Sequence, residues 1–402
     1  MIARSPFAAS NARRRTERAF WLVVFALAVS IMGNNAPSPI YPVFQARFGL
    51  STGEVTLVFA AVVAGVIPSL LYLGPLSDRV GRQLLLAGAV LLGLLAAIGF
   101  TLASGLGGLL AARAVQGLAF GCLSGTAVAA LLELEKRGDH ARATLVATVT
   151  IVASQAIAPL AAGLLAQYAP DPAHLTFFVL AGLLAAGLIG IAWVPETVSR
   201  HHLTAGDGGP RLAVPASIRR SFLVAASAVT ASFAALGLVA ALGPKFVSSL
   251  LHVHNLAVGG AVVFAMLGTS ALAQVTLRHW ALRRQLMIGA SCLTAGMLAL
   301  LAGVTAESLA AFVAGTVTAG AGQGLSYLGA QALLEQGAPA DQRGSVMSAF
   351  YLVLYLAAAA SALAVGLTSD PLGLKTATSI VAGAIAAGAA LSAVLTAREV
   401  KR

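Results

Sequence analysis

The sequence predicts an all-α integral membrane protein, with twelve transmembrane helices in two pseudo-symmetric bundles of six. Three observations carry that expectation. Hydrophobic residues fill 58% of the 402 positions and charged residues only 10%, whereas a soluble domain carries roughly 25% charge. A chain so poor in charge cannot clothe a surface facing water, and its mean hydropathy is +0.89. The apolar runs are about 19–25 residues long and lack strict alternation, so they read as spanning helices and not as barrel strands. When the runs are threaded alternately through a bilayer, twenty-one of the 25 Lys and Arg fall on one side. That asymmetry marks the cytoplasmic face and puts both termini there.

In order, the spans are placed at 19–41, 52–73, 84–103, 106–132, 144–166, 174–194, 220–242, 256–276, 286–304, 308–334, 345–367 and 374–396. Residues 1–18, with five Arg, form a cytoplasmic tail that anchors the first span. That span ends in "NNAPSPIYP", where Asn34, Asn35, Pro37, Pro39 and Tyr41 bring polar groups and irregular backbone toward the outer half. Paired Asn would be costly against lipid, so these side chains are expected to face a cavity or another helix. The second span opens after Ser51 with Glu54 in its first turn, a helix-start signal. Glu54 is also the carboxylate nearest the membrane interior, which makes it a coupling candidate.

The fourth span carries Arg113, the one basic residue well inside a span. Arg at a helix centre costs at least about 2.5–3.5 kcal/mol, and such residues usually face a cavity; from this position the side chain could also snorkel outward. Gly117, Gly121 and Gly125 follow as a ridge for close helix packing. The fifth span holds Gln155 and Pro159, which is expected to kink it. Residues 195–219, rich in Pro, Gly and charge, read as a cytoplasmic linker between the halves 19–194 and 220–396, and 397–402 is a cytoplasmic tail.

The second half echoes the first. "VQGL" at 115–118 returns as "GQGL" at 322–325, and "ALLE" ending at Glu133 returns ending at Glu335. Arg142 is matched by Arg343, and Glu196 by Glu399. A parallel repeat of this kind places the substrate site near the midplane, between the repeats. Gln155, Gln274, Gln323, Tyr327 and Gln331 join Asn34, Asn35 and Tyr41 as candidates to line it.

Between spans two and three stands "GPLSDRVGRQ", a charged knot in an apolar chain. Gly74 and Gly81 permit tight turns, and Asp78 sets a negative charge at the mouth of a helix pair. Gly74, Leu76, Ser77, Asp78, Arg79, Gly81 and Arg82 resemble the signature loop of the major facilitator superfamily. The resemblance implies the major facilitator fold. It also implies that Asp78 meets the N-terminal end of span 11, near Asp341, as a latch that closes the cytoplasmic side in an outward-open state. Arg79 and Arg82 could pair with Glu133 or Glu135. Family members use similar cytoplasmic Glu–Arg pairs, which implies Arg142 with Glu196 and Arg343 with Glu399. Arg113, Gln116 and Gly117 are similar to the family's span-four signature R-x-x-Q-G, implicated in proton coupling. Span five resembles the G-P-x-x-G-G element of drug antiporters with a departure, since Ala158 stands for the first Gly. The second-half loop, "VTLRHWALRRQ" at 275–285, keeps the bases but has His279 at the Asp position.

The net charge of +11 is absorbed by topology, so no nucleic-acid partner is expected. All acids and histidines lie in loops or near span ends, which favours a neutral, amphipathic or anionic solute. No catalytic cluster, metal-ligand spacing or nucleotide motif is present, so the reading is not an enzyme, with no cofactor and no metal. Cys122 and Cys292 read as packing residues. The function expected is secondary active transport by alternating access in the inner (plasma) membrane, by a monomer. Its partners are a small-molecule substrate, protons and the lipid bilayer. Proton-coupled efflux of an amphipathic drug-like or metabolite molecule comes first; the alternative is a proton symporter or facilitator taking up a sugar or organic acid.

Overall fold

The computed structural model describes residues 6–73, 81–135, 139–196, 214–249, 252–253, 255–339 and 342–399. Among them all regular structure is helical. The α-helices are α1 Pro6–Asn35, α2 Tyr41–Phe48, α3 Thr52–Ala60, α4 Val62–Pro68, α5 Arg82–Leu102, α6 Leu106–Leu134, α7 His140–Tyr168 and α8 Leu175–Ile191, then α9 Arg219–Ser249, α10 Leu256–Thr276, α11 Leu282–Thr305, α12 Leu309–Gly337, α13 Arg343–Leu372 and α14 Leu374–Glu399. Ten stretches are long and apolar enough to cross a bilayer. Two further helices stand where the remaining spans are expected. One is α8, an apolar helix of 17 residues. The other is α12, whose 29 residues are diluted by Gly, Thr and Gln.

Helix boundaries depart from the sequence expectation where proline or a good helix former decides them. α1 starts at Pro6, inside the stretch expected to be a tail, because Ala, Arg and Glu there favour helix and nothing breaks it. It stops at Asn35, short of residue 41. A 3-10 turn over Ser38–Ile40 follows, then α2 with Pro42 in its first turn and Gly49 at φ 64° as its left-handed cap. The second span is not one helix but α3, α4 and a π-helical turn over Ser69–Leu73, with Pro68 at the junction. α7 passes through Pro159 and α9 through Pro244 without ending.

In the first half, α1 packs on α6, α7 and α8, and α5 packs between α6 and α8. In the second half, α11 lies against α12 and α14, while α9 packs on α12 and α13. The glycine ridges serve the same neighbour in each half. A Cβ at Gly117 would meet the carbonyl oxygen of Val62, and one at Gly121 would lie 2.7 Å from the Ser69 Cβ. A Cβ at Gly320 or Gly324 would meet the backbone of Met266 or Ser270 on α10. Gly125, expected in the ridge, has nothing within 4 Å of its Cβ position.

Most of the bases lie at one end of the bundle: Arg82, Arg142, Arg219, Arg220, Arg278, Arg283, Arg284, Arg343 and Arg398. This is the basic end below. The opposite end carries Arg47, Lys245 and Lys375. In the first half, the opposite end is filled by stacked rings: Phe100 and Phe177 at 4.8 Å, with Phe44 at 5.9 Å from Phe177.

Candidate substrate pathway and its two ends

The halves meet along two helix pairs, α7 with α10 and α3 with α13. The contacts that join them gather toward the opposite end. Ser38 donates its hydroxyl to the carbonyl of Ala240, and Lys245 donates to the Thr52 hydroxyl. The backbone N–H of Leu256 donates to Gln167 Oε1 at 2.8 Å. Glycine brings the backbones together around these bonds. A Cβ at Gly163 would lie 2.7 Å from the carbonyl oxygen of Leu256, one at Gly260 would meet the carbonyl of Pro159, and one at Gly366 would strike the side chain of Thr56. Deeper in, Ala156, Ala240, Val263 and Leu267 form a buried apolar plug with Phe59, Leu236 and Phe264 packed on it. The closure is therefore apolar and close-packed, with one ammonium donor at its rim.

At the basic end, the hydrogen bonds and ion pairs that join two described residues stay within one half. Arg82 pairs with Glu133 at 3.1 Å. Arg142 pairs with Glu135 at 2.6 Å and with Glu17 at 3.0 Å, and its guanidinium sits 5.3 Å over the ring of Phe20. The expected Arg142–Glu196 pair is not formed. Glu196 instead accepts from the backbone N–H groups of Arg82 at 2.9 Å and Gln83 at 3.2 Å, where the start of α5 offers unpaired donors and a positive dipole end. The expected Arg343–Glu399 pair is likewise replaced, since Glu399 lies 3.8 Å from Arg220. Gly74, Asp78, Arg79 and the Asp341 end of the latch lie outside the described residues.

Gly81 shows why its place in the loop is glycine. Its φ is 108°, and a Cβ would meet the Glu196 carboxylate. Gly81→Ala should therefore cost about 1–2 kcal/mol from the left-handed backbone alone, read as a lower unfolding temperature in detergent. An unchanged melting temperature would refute the clamp between Glu196 and α5.

Glu54 is spent on a capping box. The N–H of Glu54 donates to Ser51 Oγ at 3.1 Å, and its carboxylate accepts from the N–H of Ser51 at 2.7 Å. It sits at the start of α3, not in the membrane interior. Glu54→Gln should keep the helix start, cost no more than about 1 kcal/mol and leave transport intact. A large transport loss in that variant would restore Glu54 as a coupling group. At the same end Arg47 contacts His174 at 2.9 Å, and His174 contacts Asp171 at 2.6 Å. That bond from His174 holds the Asp171 carboxyl below its ordinary range.

Arg113 does not snorkel outward: it is only 3% exposed. Its guanidinium donates to the carbonyl of Asn34 at 2.7 Å and to the Gln116 side-chain oxygen. Gln116 in turn donates to the carbonyl of Gly33 at 2.6 Å. The proline-broken end of the first span frees these carbonyls, and α6 offers Arg113 and Gln116 one turn apart to take them. The ring of Phe59 lies 5.7 Å from the guanidinium. Asn34 Oδ1, the Tyr41 hydroxyl and Arg113 Nε are buried with no hydrogen-bond partner. Asn35 is half-buried beside them.

The other cavity candidates divide. Ser270 donates to Gln323 and ties α10 to α12, and Gln274, one turn on within α10, donates to Ser270 at 3.0 Å. Gln331 donates to Glu335 at 2.8 Å, and Gln155 is half-buried on α7. Tyr327 belongs to an aromatic wall with Phe233 at 5.6 Å and Phe350 at 6.2 Å, and Phe350 in turn meets Tyr351 at 5.7 Å. Across the halves, Phe120 meets Tyr355 edge-on at 6.3 Å. Sequence reasoning passed over Phe120, Phe233, Tyr351 and Tyr355. The signal for the last two was present, as tyrosines at i and i+4 on one helix face. A separate cavity of about 640 Å³ opens at the edge of the closed end, lined by Pro42, Val43, Arg47, Pro244, Ser248 and Leu256 among others. None of the expected site residues lines it.

The sequence profile of the Major Facilitator Superfamily matches residues 23–362. Among curated proteins, the chain is 26% identical over 178 residues to the multidrug efflux protein YfmO of Bacillus subtilis, covering 44% of each chain. It is 28% identical over 186 residues to multidrug resistance protein D of Escherichia coli, covering 46% of this chain and 47% of that one. The chain thus spans under half the length of these relatives. Among solved structures, a bacterial homologue of the human lysosomal transporter Spinster, inward-facing and unoccupied, superposes with a TM-score of 0.74 at 13% identity over 95% of this chain and 96% of that one. The nucleoside transporter NupG gives a TM-score of 0.76 at 10% identity over 94% and 99%.

Proposed function

The chain belongs to the major facilitator superfamily, and from that premise we propose that it is a secondary active transporter that exports an amphipathic drug-like or metabolite molecule in exchange for protons. The observation that carries this reading is the seam between the two halves, where close-packed glycines and an apolar plug join α7 to α10 and α3 to α13 at the opposite end. The positive-inside bias makes the basic end cytoplasmic in an inner membrane, so the close-packed seam lies on the side away from the cytoplasm. The halves 19–194 and 220–396 rock about the site between them, and the linker 195–219 tethers them. Asp78 meeting the start of α13 is the latch of the cytoplasmic side. Curated relatives named for multidrug efflux support export.

Uptake of a sugar or organic acid, by proton symport or without protons, is the second reading. It is favoured by Glu54, the nearest interior acid, being used as a helix cap. Proteoliposomes holding a pH-sensitive dye, given an imposed proton gradient and a solute panel, separate the two. Proton efflux driven by solute entry, or the reverse, is expected. Solute flux with no proton movement would overturn the coupled reading.

A further inference from the structure

Arg113 is a buried cation without an anion. Among the described residues, no carboxylate lies within ion-pair distance of it, and its bonds go to neutral oxygens of Asn34 and Gln116. A buried charge compensated only by neutral groups is costly, because the lost hydration is only partly replaced. The unpartnered groups beside it fit an incoming anion. The Tyr41 hydroxyl, on a residue only 2% exposed, has no acceptor; Tyr41 shares a buried cluster with Ala112, the neighbour of Arg113, and with Phe59, whose ring lies 5.7 Å from the Arg113 guanidinium. Arg113 Nε has no acceptor either. Together they offer two donors that an acceptor with two oxygens would take.

The same face of α6 continues toward the basic end. Gln116 and Phe120 stand at i+3 and i+7 from Arg113, so the three share one stripe. Seven residues of helix span about 10 Å. At the far end of that stripe, Phe120 faces Tyr355, and beyond it on the second half stand Tyr351, Tyr327 and Phe233. Phe120 meets Tyr355 edge-on and Phe233 meets Tyr327 at a tilt; all four are only partly buried, each packed against the core of its own half, and the ring surface left uncovered is where a planar group can stack.

Resting on the reading of this chain as a transporter with its site between the halves, we infer that the solute is an aromatic carboxylate: its carboxylate docks between Arg113 and Tyr41, and its ring lies against Phe120 and the tyrosines of α12 and α13. Arg113 then acts as the substrate's counter-ion. Such a solute also explains the lack of an interior acid, which would repel it.

The test is binding of radiolabelled 1-naphthoate to the purified full-length chain in lipid nanodiscs. Methyl 1-naphthoate, 1-naphthylmethylamine and cyclohexanecarboxylate compete against it. The acid should bind at least about tenfold more tightly than its ester or the amine, as expected for a charge-assisted hydrogen bond, and more tightly than the ringless acid. Arg113→Gln should weaken it by at least about tenfold, Arg113→Lys by less, and Tyr355→Ala more than Tyr355→Phe. Should Arg113→Gln fail to fold, Tyr41→Phe at an unchanged melting temperature should still weaken the acid severalfold and leave the ester unaffected. Equal binding of acid, ester and amine, or wild-type affinity in both Arg113→Gln and Tyr41→Phe, would overturn the inference. Counterflow in proteoliposomes keeps the two readings apart. Selective anion binding without exchange refutes the transporter and leaves the site. Exchange of neutral or cationic solutes with no anion preference refutes the site and leaves the transporter.

Discussion

Gly366→Val is expected to open the closed end of the bundle. A Cβ at this position would sit 2.7 Å from the Cβ and Cγ2 of Thr56, which is itself fully buried, so neither side chain has anywhere to turn. Overpacking of this kind costs about 1–3 kcal/mol. Here the cost falls only on the conformation in which α3 and α13 touch. Each 1.4 kcal/mol is a tenfold change, so the balance should move about fivefold to 150-fold away from closure. A cysteine placed at Ser38, whose hydroxyl bonds Ala240 across the seam, should then label rapidly with a membrane-impermeant maleimide from that side. Transport should fall, because one of the two states is under-populated. Thr56→Ala in the same chain should recover part of both. Wild-type labelling and transport in Gly366→Val would mean that the contact is not broken during the cycle.

Asp78→Asn should abolish most transport while leaving the protein at its normal level in the membrane. The side chain lies outside the described residues, and the prediction rests on its place in the loop and on the helix start near Asp341. A carboxylate at a helix N-terminus contributes about 0.3–1 kcal/mol, up to about 2 when partly buried. The amide keeps the shape and loses the charge. Closure at the basic end should weaken, and the molecule should dwell with the opposite end shut. Counterflow normalised to protein amount measures it, and a wild-type rate would remove the latch from the mechanism. The two variants bias opposite ends, so the double variant should show Ser38-site labelling between those of the single variants.

The twelve spans were legible because a lipid solvent leaves a coarse signal: run length, charge sparsity and the side on which arginines fall. Breaks inside spans were partly legible. The prolines announced the irregular end of the first span, and Pro68 the junction of α4 with the π turn, but nothing in "VFAAVVAGV" announced the break between α3 and α4. Arg113 and Gln116 were legible as a pair because they are one turn apart on a single helix. Partners distant in sequence were not. Glu196 could have met any cytoplasmic base, and its choice of the α5 start depends on Gly81 having no side chain there. Arg142 was taken by Glu135 and Glu17 because both reach it first. The tyrosines escaped notice because Tyr351 and Tyr355 read as ordinary apolar filler until Phe120 arrives from the other half.

The π turn at Ser69–Leu73 sets the angular phase of everything that follows it. A residue of helix turns the chain by about 100°, and a π turn holds more residues per turn than the helix on either side. It closes the second span, and its first residue, Ser69, packs on Gly121 of the α6 ridge. Deleting one residue within Ser69–Leu73 could regularise the winding without moving α3 or α4. It would also rotate the end of the span at Leu73 by roughly a quarter turn relative to the ridge of α6. One surplus residue thus fixes the bearing at which the second span ends, and a chain shortened there should fold, insert and bind its solute while exchanging it more slowly in counterflow.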